Sequence, residues 1–345
     1  MAIGACLGWQ LLISLAYLMA NWLKLLETLH IHPPLSNPQN MEAYCDKIWK
    51  GVLPRDKPRL AQFITQAMEE FEEERKMQVA CSLALSKLNF LEVGQLKAIM
   101  TAALSFCNDA EAVGTLLEVF LELHQSQMLI GPLRTLGALQ YCVDTLQRHP
   151  GRPELIRLAC NFLGEDVHHC ELCKNLTVLR SRLVKTSVAA VKRFPATSTR
   201  LHESVMMVLS RLSSDPPLEY IHESMIEQGA LEGTLTVLRD SREFAALEHA
   251  AMVLHNFANF PAGKLKILEA DAPRLLFNRL GELSAGAAVG FAKTLQVLLT
   301  ALPPGTSQQD LVPAEAIAKV QHVMERSPKH TKLQEFGALL LAALT

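Results

Sequence analysis

Apolar residues recur with a helical period along much of the chain, and the pattern itself repeats. Five segments each finish in a long apolar helix, and the last leucines of these helices are Leu163, Leu209, Leu254, Leu295 and Leu340. They lie 46, 45, 41 and 45 residues apart. A spacing this constant is hard to produce by chance, so the pattern predicts an all-α array of stacked repeats. Weaker matches at Leu85 and near Leu117 extend it towards the N terminus.

Each repeat has the same internal order. A glycine ends a short helix, an apolar helix follows, and a polar break such as 240–242 precedes the long third helix. Gly229 suits a sharp corner between the first two helices, where a positive φ is often needed. Gly137 occupies the same place upstream, and Asp271 stands in the glycine position downstream.

The segments Ile226–Leu231 and Ala250–Ala258 resemble the corner and the third helix of armadillo repeats. The similarity covers residues 128–345, while residues 41–127 read as divergent N-terminal helical repeats. The resemblance implies a right-handed α-solenoid of about five to seven armadillo/HEAT-like repeats. It also implies that the third helices line a concave groove that holds partner polypeptides.

The N-terminal segment 1–23 contains no charged side chain. As a helix it would be about 35 Å long, enough to cross a bilayer core. Because Lys24 follows it and no cation precedes it, an anchor would leave the remaining chain in the cytosol. A shielded end helix of the array and a cleaved signal are the alternative interpretations. A proline-containing linker, residues 24–40, separates this segment from the repeats.

Composition narrows the class of protein. The net charge of −2 gives no overall footprint for nucleic acid. Most of the eight cysteines lie singly in apolar helical runs, which is typical of buried, reduced thiols in a cytoplasmic protein.

One stretch, from Lys174 to Arg211, is strongly basic against a single acid, Glu203. Besides Lys174, its cations are Arg180, Arg182, Lys185, Lys192, Arg193, Arg200 and Arg211. Such asymmetry could steer an acidic partner to one part of the array. The alternatives are an ordinary solvated helix surface and nucleic-acid binding, which is disfavoured because few aromatic residues interleave the charges.

Two polar residues, His255 and Asn256, follow the apolar run of the best-preserved third helix. By the resemblance, Asn256 matches the groove asparagine that pairs with an extended ligand backbone in peptide-binding members. That use needs a ladder of asparagines, yet the equivalent positions are Glu165, Arg211, Val297 and Ala342. Asn256 is therefore either a ligand contact or a structural amide that bonds to a neighbouring helix or to solvent.

Zinc ligands are suggested only by the segment His168–Cys173, which carries Cys-x-x-Cys beside two histidines. No second Cys/His pair follows at finger spacing, so an inter-repeat loop is the simpler interpretation. No nucleophile elbow, P-loop or dinucleotide loop occurs, and we expect no cofactor, metal or small-molecule substrate.

The sequence therefore predicts a non-catalytic scaffold that binds partner polypeptides on its concave face, with the basic stretch selecting an acidic segment. The alternatives are a regulator of a folded partner such as a chaperone or small GTPase, a self-associating structural protein, and an enzyme. A membrane contact is possible through residues 1–23.

Overall fold

The computed structural model describes residues 57–88, 91–167, 177–194, 198–214, 219–300, 302 and 311–345. The predicted anchor 1–23, the linker 24–40, Lys174 and the segment His168–Cys173 lie outside the described residues. The chain divides into two compact units, Met1–Phe63 and Ile64–Thr345. The repeat array lies in the second unit.

The described residues are 82 % helical, with seventeen helices and no strand. In chain order the helices are α1 (Lys57–Glu70), α2 (Arg75–Ser86), α3 (Val93–Ser105), α4 (Ala110–His124), α5 (Gln127–Thr135), α6 (Ala138–Arg148), α7 (Pro153–Val167), α8 (Thr177–Arg193), α9 (Thr199–Ser214), α10 (Glu219–Glu227), α11 (Ala230–Asp240), α12 (Phe244–Ala258), α13 (Pro261–Glu269), α14 (Ala272–Leu280), α15 (Ala285–Leu299), α16 (Ala316–Arg326) and α17 (Thr331–Leu344).

Two rows of helices build the unit. The long third helices α2, α4, α7, α9, α12, α15 and α17 pack each against the next along the chain. The second helices α6, α8, α11, α14 and α16 form a parallel row behind them. Because each repeat is too small to bury its own apolar face, the rows share one continuous core. The predicted all-α solenoid is confirmed.

The leucines that set the sequence period lie inside this core. Leu163 is 1 % exposed, and Leu209, Leu254, Leu295 and Leu340 are fully buried. Leu85 and Leu117 are also fully buried, on α2 and α4. The two weaker sequence matches therefore belong to the same row of third helices.

The predicted corners have left-handed backbone conformation. Gly137, Gly229 and Asp271 have φ values of 95°, 88° and 52°, and each immediately precedes a second helix. Asp271 is the single non-glycine residue with positive φ among the described residues. Asp tolerates this conformation better than most residues because its short polar side chain can hydrogen-bond locally.

Buried thiols were predicted, and three are found. Cys81, Cys142 and Cys160 are buried, while Cys107 is half-buried. Burial raises the pKa of the Cys160 thiol to about 12, because the thiolate would lose its hydration. Within the described ranges, no helix combines the length and the hydropathy that crossing a bilayer requires.

Candidate interaction surface

The third helices present one continuous outer surface, which we call the third-helix face. Residues that are not fully buried recur on these helices every three or four positions, as expected for the face opposite a core. From α7 to α15 they include Glu154, Arg157, Asn161, Glu165, Arg200, Glu203, Met207, Arg211, Glu248, Met252, His255, Asn256, Lys293 and Val297.

Charges on the first part of this face compensate each other across repeats. The Arg157 guanidinium on α7 donates through Nε to both Glu154 carboxylate oxygens, at 3.1 and 3.0 Å. This bond lowers the pKa of Glu154, and it raises the pKa of Arg157. Glu118 on α4 and Glu203 on α9 also raise the pKa of Arg157, so carboxylates of three successive third helices lie around one cation.

The same compensation continues towards α12. His249 lies half-buried on that helix, with Nδ1 3.3 Å from the Ser210 hydroxyl on α9. Its pKa is lowered mainly by burial and secondly by Arg211, while Glu165 acts in the opposite direction. This stretch of the face therefore offers mixed, mutually screened charges, with no excess of cations.

The Asn256 side chain forms a hydrogen bond between two repeats. Its Nδ2 donates to the Ser213 hydroxyl at 2.9 Å and lies 3.5 Å from the Ser210 carbonyl oxygen, both on α9. Ser213 is only 2 % exposed, so the bond is shielded from water. The geometry favours the structural interpretation of this asparagine: it ties α12 to the preceding third helix.

Beyond Asn256 the face carries a cation without a carboxylate partner. Lys293 on α15 lies with Nζ 4.5 Å from the centre of the Phe336 ring on α17. Among the described residues it forms no ion pair. The pKa of the neighbouring His255 is lowered by burial and, secondly, by Lys293. This end of the face therefore combines positive charge with exposed parts of Met252 and Phe336.

The predicted basic stretch is divided between the two rows. Arg200 and Arg211 lie on α9, at the third-helix face. The remaining described members, Arg180, Arg182, Lys185, Lys192 and Arg193, lie on α8, a second helix.

The cations of α8 differ in whether they form an ion pair. Arg182 Nη2 donates to Asp144 Oδ1 at 2.6 Å, and it also bonds Gln147, both on α6. Lys185, Lys192 and Arg193 are exposed. Most of the stretch therefore cannot act within the third-helix face.

A repeated arginine contact was not found from the sequence. Arg279, near the end of α14, donates through Nη2 to the Ser241 carbonyl oxygen at 2.5 Å. Arg326, at the end of α16, donates through Nη1 to the Gly281 carbonyl oxygen at 2.7 Å. Each arginine thus caps the end of the preceding second helix. Aligning the ends of the second helices, where a basic residue recurs, would have found it.

One small cavity is found in the part of the chain that the structure describes. This cavity of about 40 Å³ lies between α8 and α10, lined in part by Arg180, Tyr220 and Gln228. It has room for about three water molecules. The described residues contain no group of three His, Cys, Asp or Glu side chains that could hold a metal ion.

Comparison with known proteins identifies the fold. No family model matches the chain, and no curated protein matches it. One engineered protein of known structure is 15 % identical, with a TM-score of 0.59 over 72 % of this chain and 98 % of that one. A second engineered protein, also 15 % identical, has a TM-score of 0.61 over 82 % of this chain and 68 % of its own.

Two further solved structures are named as armadillo proteins. A designed armadillo repeat protein is 18 % identical, with a TM-score of 0.55 over 72 % of this chain and 100 % of that one. A protein from a set of computationally designed armadillo repeat proteins for modular peptide recognition is also 18 % identical, with a TM-score of 0.57 over 73 % and 99 %. The predicted armadillo-like repeat fold is therefore confirmed.

Proposed function

We propose that this armadillo-like solenoid is a non-catalytic interaction scaffold that holds a segment of a partner polypeptide along its third-helix face. The observation that carries the proposal is the uninterrupted row from α2 to α17, whose outer positions leave half-exposed polar and apolar side chains at regular intervals. A similar fold has been designed for modular peptide recognition, which supports the same use here.

The stacked core fixes the spacing of neighbouring third helices before any partner arrives. Preorganisation lowers the ordering cost of association on the scaffold's side. Asn256 already bonds Ser213, so the proposed binding does not depend on an asparagine ladder. Lys293 forms no ion pair among the described residues and lies beside a partly exposed aromatic ring, and it is our candidate contact for an acidic residue of the segment.

The test makes the same charge reversal at one position on each of the two rows of helices. Lys293→Glu reverses a charge on the third-helix face, and Lys185→Glu makes the same change at an exposed position of the second-helix row. Affinity capture from a cytosolic extract would be quantified for both variants and for the unchanged protein, at low and high salt.

We expect Lys293→Glu to lower retention of the captured partners about fivefold at low salt, because one exposed ion pair contributes up to about 1 kcal/mol. Lys185→Glu should leave retention unchanged. Equal retention by all three proteins, or loss only with Lys185→Glu, would show that partners do not use the third-helix face.

A further inference from the structure

An acidic turn joins α1 to α2. Glu69 and Glu70 end α1, and Glu72, Glu73 and Glu74 follow before α2 begins. All five side chains are exposed, and none forms an ion pair among the described residues. We call these five glutamates the acidic turn.

A buried side chain of α2 fixes the backbone of the acidic turn. Gln78, only 4 % exposed, donates through Nε2 to the carbonyl oxygens of Met68 and Phe71, at 2.6 and 2.8 Å. The adjacent Arg75 is already bonded to Asp109 at 2.6 Å and lies 3.1 Å from Glu111, so it does not neutralise the turn. Lys76, in the first turn of α2, is the one further cation adjacent to the turn in the described sequence. The array therefore presents a fixed, net-negative projection.

A second patch has the opposite charge and lies two to three repeats along the array. Helices α6 and α8 pack side by side and end at the same edge of the second-helix row. Arg148 ends α6, Arg152 lies in the turn after it, and Lys192 and Arg193 end α8. We call these four residues the basic edge.

The residues of the basic edge lie close together, and none of them is neutralised by an ion pair among the described residues. The Arg193 guanidinium lies against the turn after α6, with Nη2 3.5 Å from the position that a Cβ of Gly151 would take. All four cations are exposed, and none forms an ion pair among the described residues. The nearby acids Asp144 and Glu154 are engaged by other arginines, although Glu232 lies close to Lys192.

We propose that the basic edge of one copy of this chain binds the acidic turn of a second copy, so that the protein associates head to tail. Both complementary surfaces belong to this chain, and each is unpaired among the residues that the structure describes. Because the two surfaces are different, a bound pair still exposes one surface of each kind, and association continues beyond a dimer into a ring or a filament. Contacts between exposed charges are screened by salt, so the association must weaken as ionic strength rises.

The experiment is sedimentation velocity of the full chain over a range of concentrations, at about 0.02 M and about 0.5 M sodium chloride, where screening lengths differ several-fold. We expect the average mass to rise with concentration at low salt and to approach the monomer at high salt. A protein that stays monomeric at both salts, or associates equally at both, would overturn the proposal.

Charge reversals locate the contact. One variant carries Arg148→Glu, Arg152→Glu and Arg193→Glu, and the other carries Glu70→Lys, Glu72→Lys and Glu73→Lys. Each variant alone should show an apparent dissociation constant raised at least about tenfold, since three exposed ion pairs become repulsive. An equimolar mixture should associate again, because the unchanged surface of each variant fits the unchanged surface of the other.

A matched control separates specific pairing from net charge. Arg242→Glu, Lys329→Glu and Lys332→Glu reverse three exposed cations elsewhere on the array. This control should associate like the unchanged protein, and circular dichroism should show the same helicity for all variants. If the control variant weakened association as much as the basic-edge variant does, the assignment of the contact to the basic edge would be wrong.

Discussion

Asn256→Ala is expected to destabilise the array, because the amide joins two repeats. The substitution removes the Nδ2 donor that reaches the Ser213 hydroxyl at 2.9 Å and the Ser210 carbonyl oxygen at 3.5 Å. The prediction distinguishes a structural amide from one kept for a ligand, since a ligand contact would contribute nothing to the stability of the free protein.

The magnitude follows from the two contacts. The shorter bond should contribute about 1 kcal/mol, while the longer one lies at the limit of hydrogen bonding and adds little. The Ser213 hydroxyl keeps its own acceptor, the Ser210 carbonyl oxygen at 3.0 Å, so no donor is left unsatisfied. Alanine is the better helix former by up to about 0.7 kcal/mol, which offsets part of the loss.

Asn161→Ala provides the matched control. Asn161 lies half-buried on α7, also on the third-helix face, and makes no hydrogen bond through its side chain among the described residues. The substitution shares the gain in helix propensity but removes no side-chain hydrogen bond among the described residues. We therefore expect Asn161→Ala to be neutral or slightly stabilising and Asn256→Ala to be less stable than it by about 1 kcal/mol.

Urea denaturation followed by circular dichroism at 222 nm would measure this difference. Because repeat arrays can unfold in parts, amide hydrogen exchange should accompany it and show faster exchange in α9 and α12 of the Asn256→Ala variant. Equal midpoints for the two variants, with unchanged exchange, would refute the proposed inter-repeat role.

Two further predictions concern the backbone and the histidines. Gly137→Ala should destabilise by about 1–2 kcal/mol through its φ of 95° alone, since no atom lies within 4 Å of the added Cβ. Gly94→Ala, equally open but in the first turn of α3, should stabilise by up to about 1 kcal/mol, and urea midpoints that move in the same direction would contradict this explanation. Burial lowers the pKa of His249, so near pH 6 the unfolded chain binds more protons and stability falls as the pH drops below the ordinary value of 6.5. His249→Gln should flatten this pH dependence in urea midpoints between about pH 7.5 and pH 5, and an unchanged slope would exclude the contribution.

The repeat and its corners could be predicted because they leave local signals in the sequence. Stacking requires a buried leucine at the same place in each repeat, and a left-handed corner favours glycine or a short polar residue. Leu254 and Gly229 therefore mark the architecture without knowledge of any long-range contact.

The partners of the polar residues could not be predicted in the same way. Asn256 bonds a serine 43 residues earlier, and this pairing depends on how two helices face each other. The basic stretch is continuous in the sequence, but α8 ends at Arg193. The cations of the stretch therefore lie in two different rows of helices. The anchor and the segment His168–Cys173 concern residues outside those described, and they stay predictions, as does the cytoplasmic location.

The arginine contacts of α14 and α16 have a mechanical consequence. Each contact crosses a single boundary, from Arg279 to the Ser241 carbonyl oxygen and from Arg326 to the Gly281 carbonyl oxygen. Each boundary then acts as a separate spring, and the springs are coupled in series because repeats contact mainly their neighbours. Their compliances add, so a small angular change at every boundary accumulates into a large change in the distance between the ends of the array.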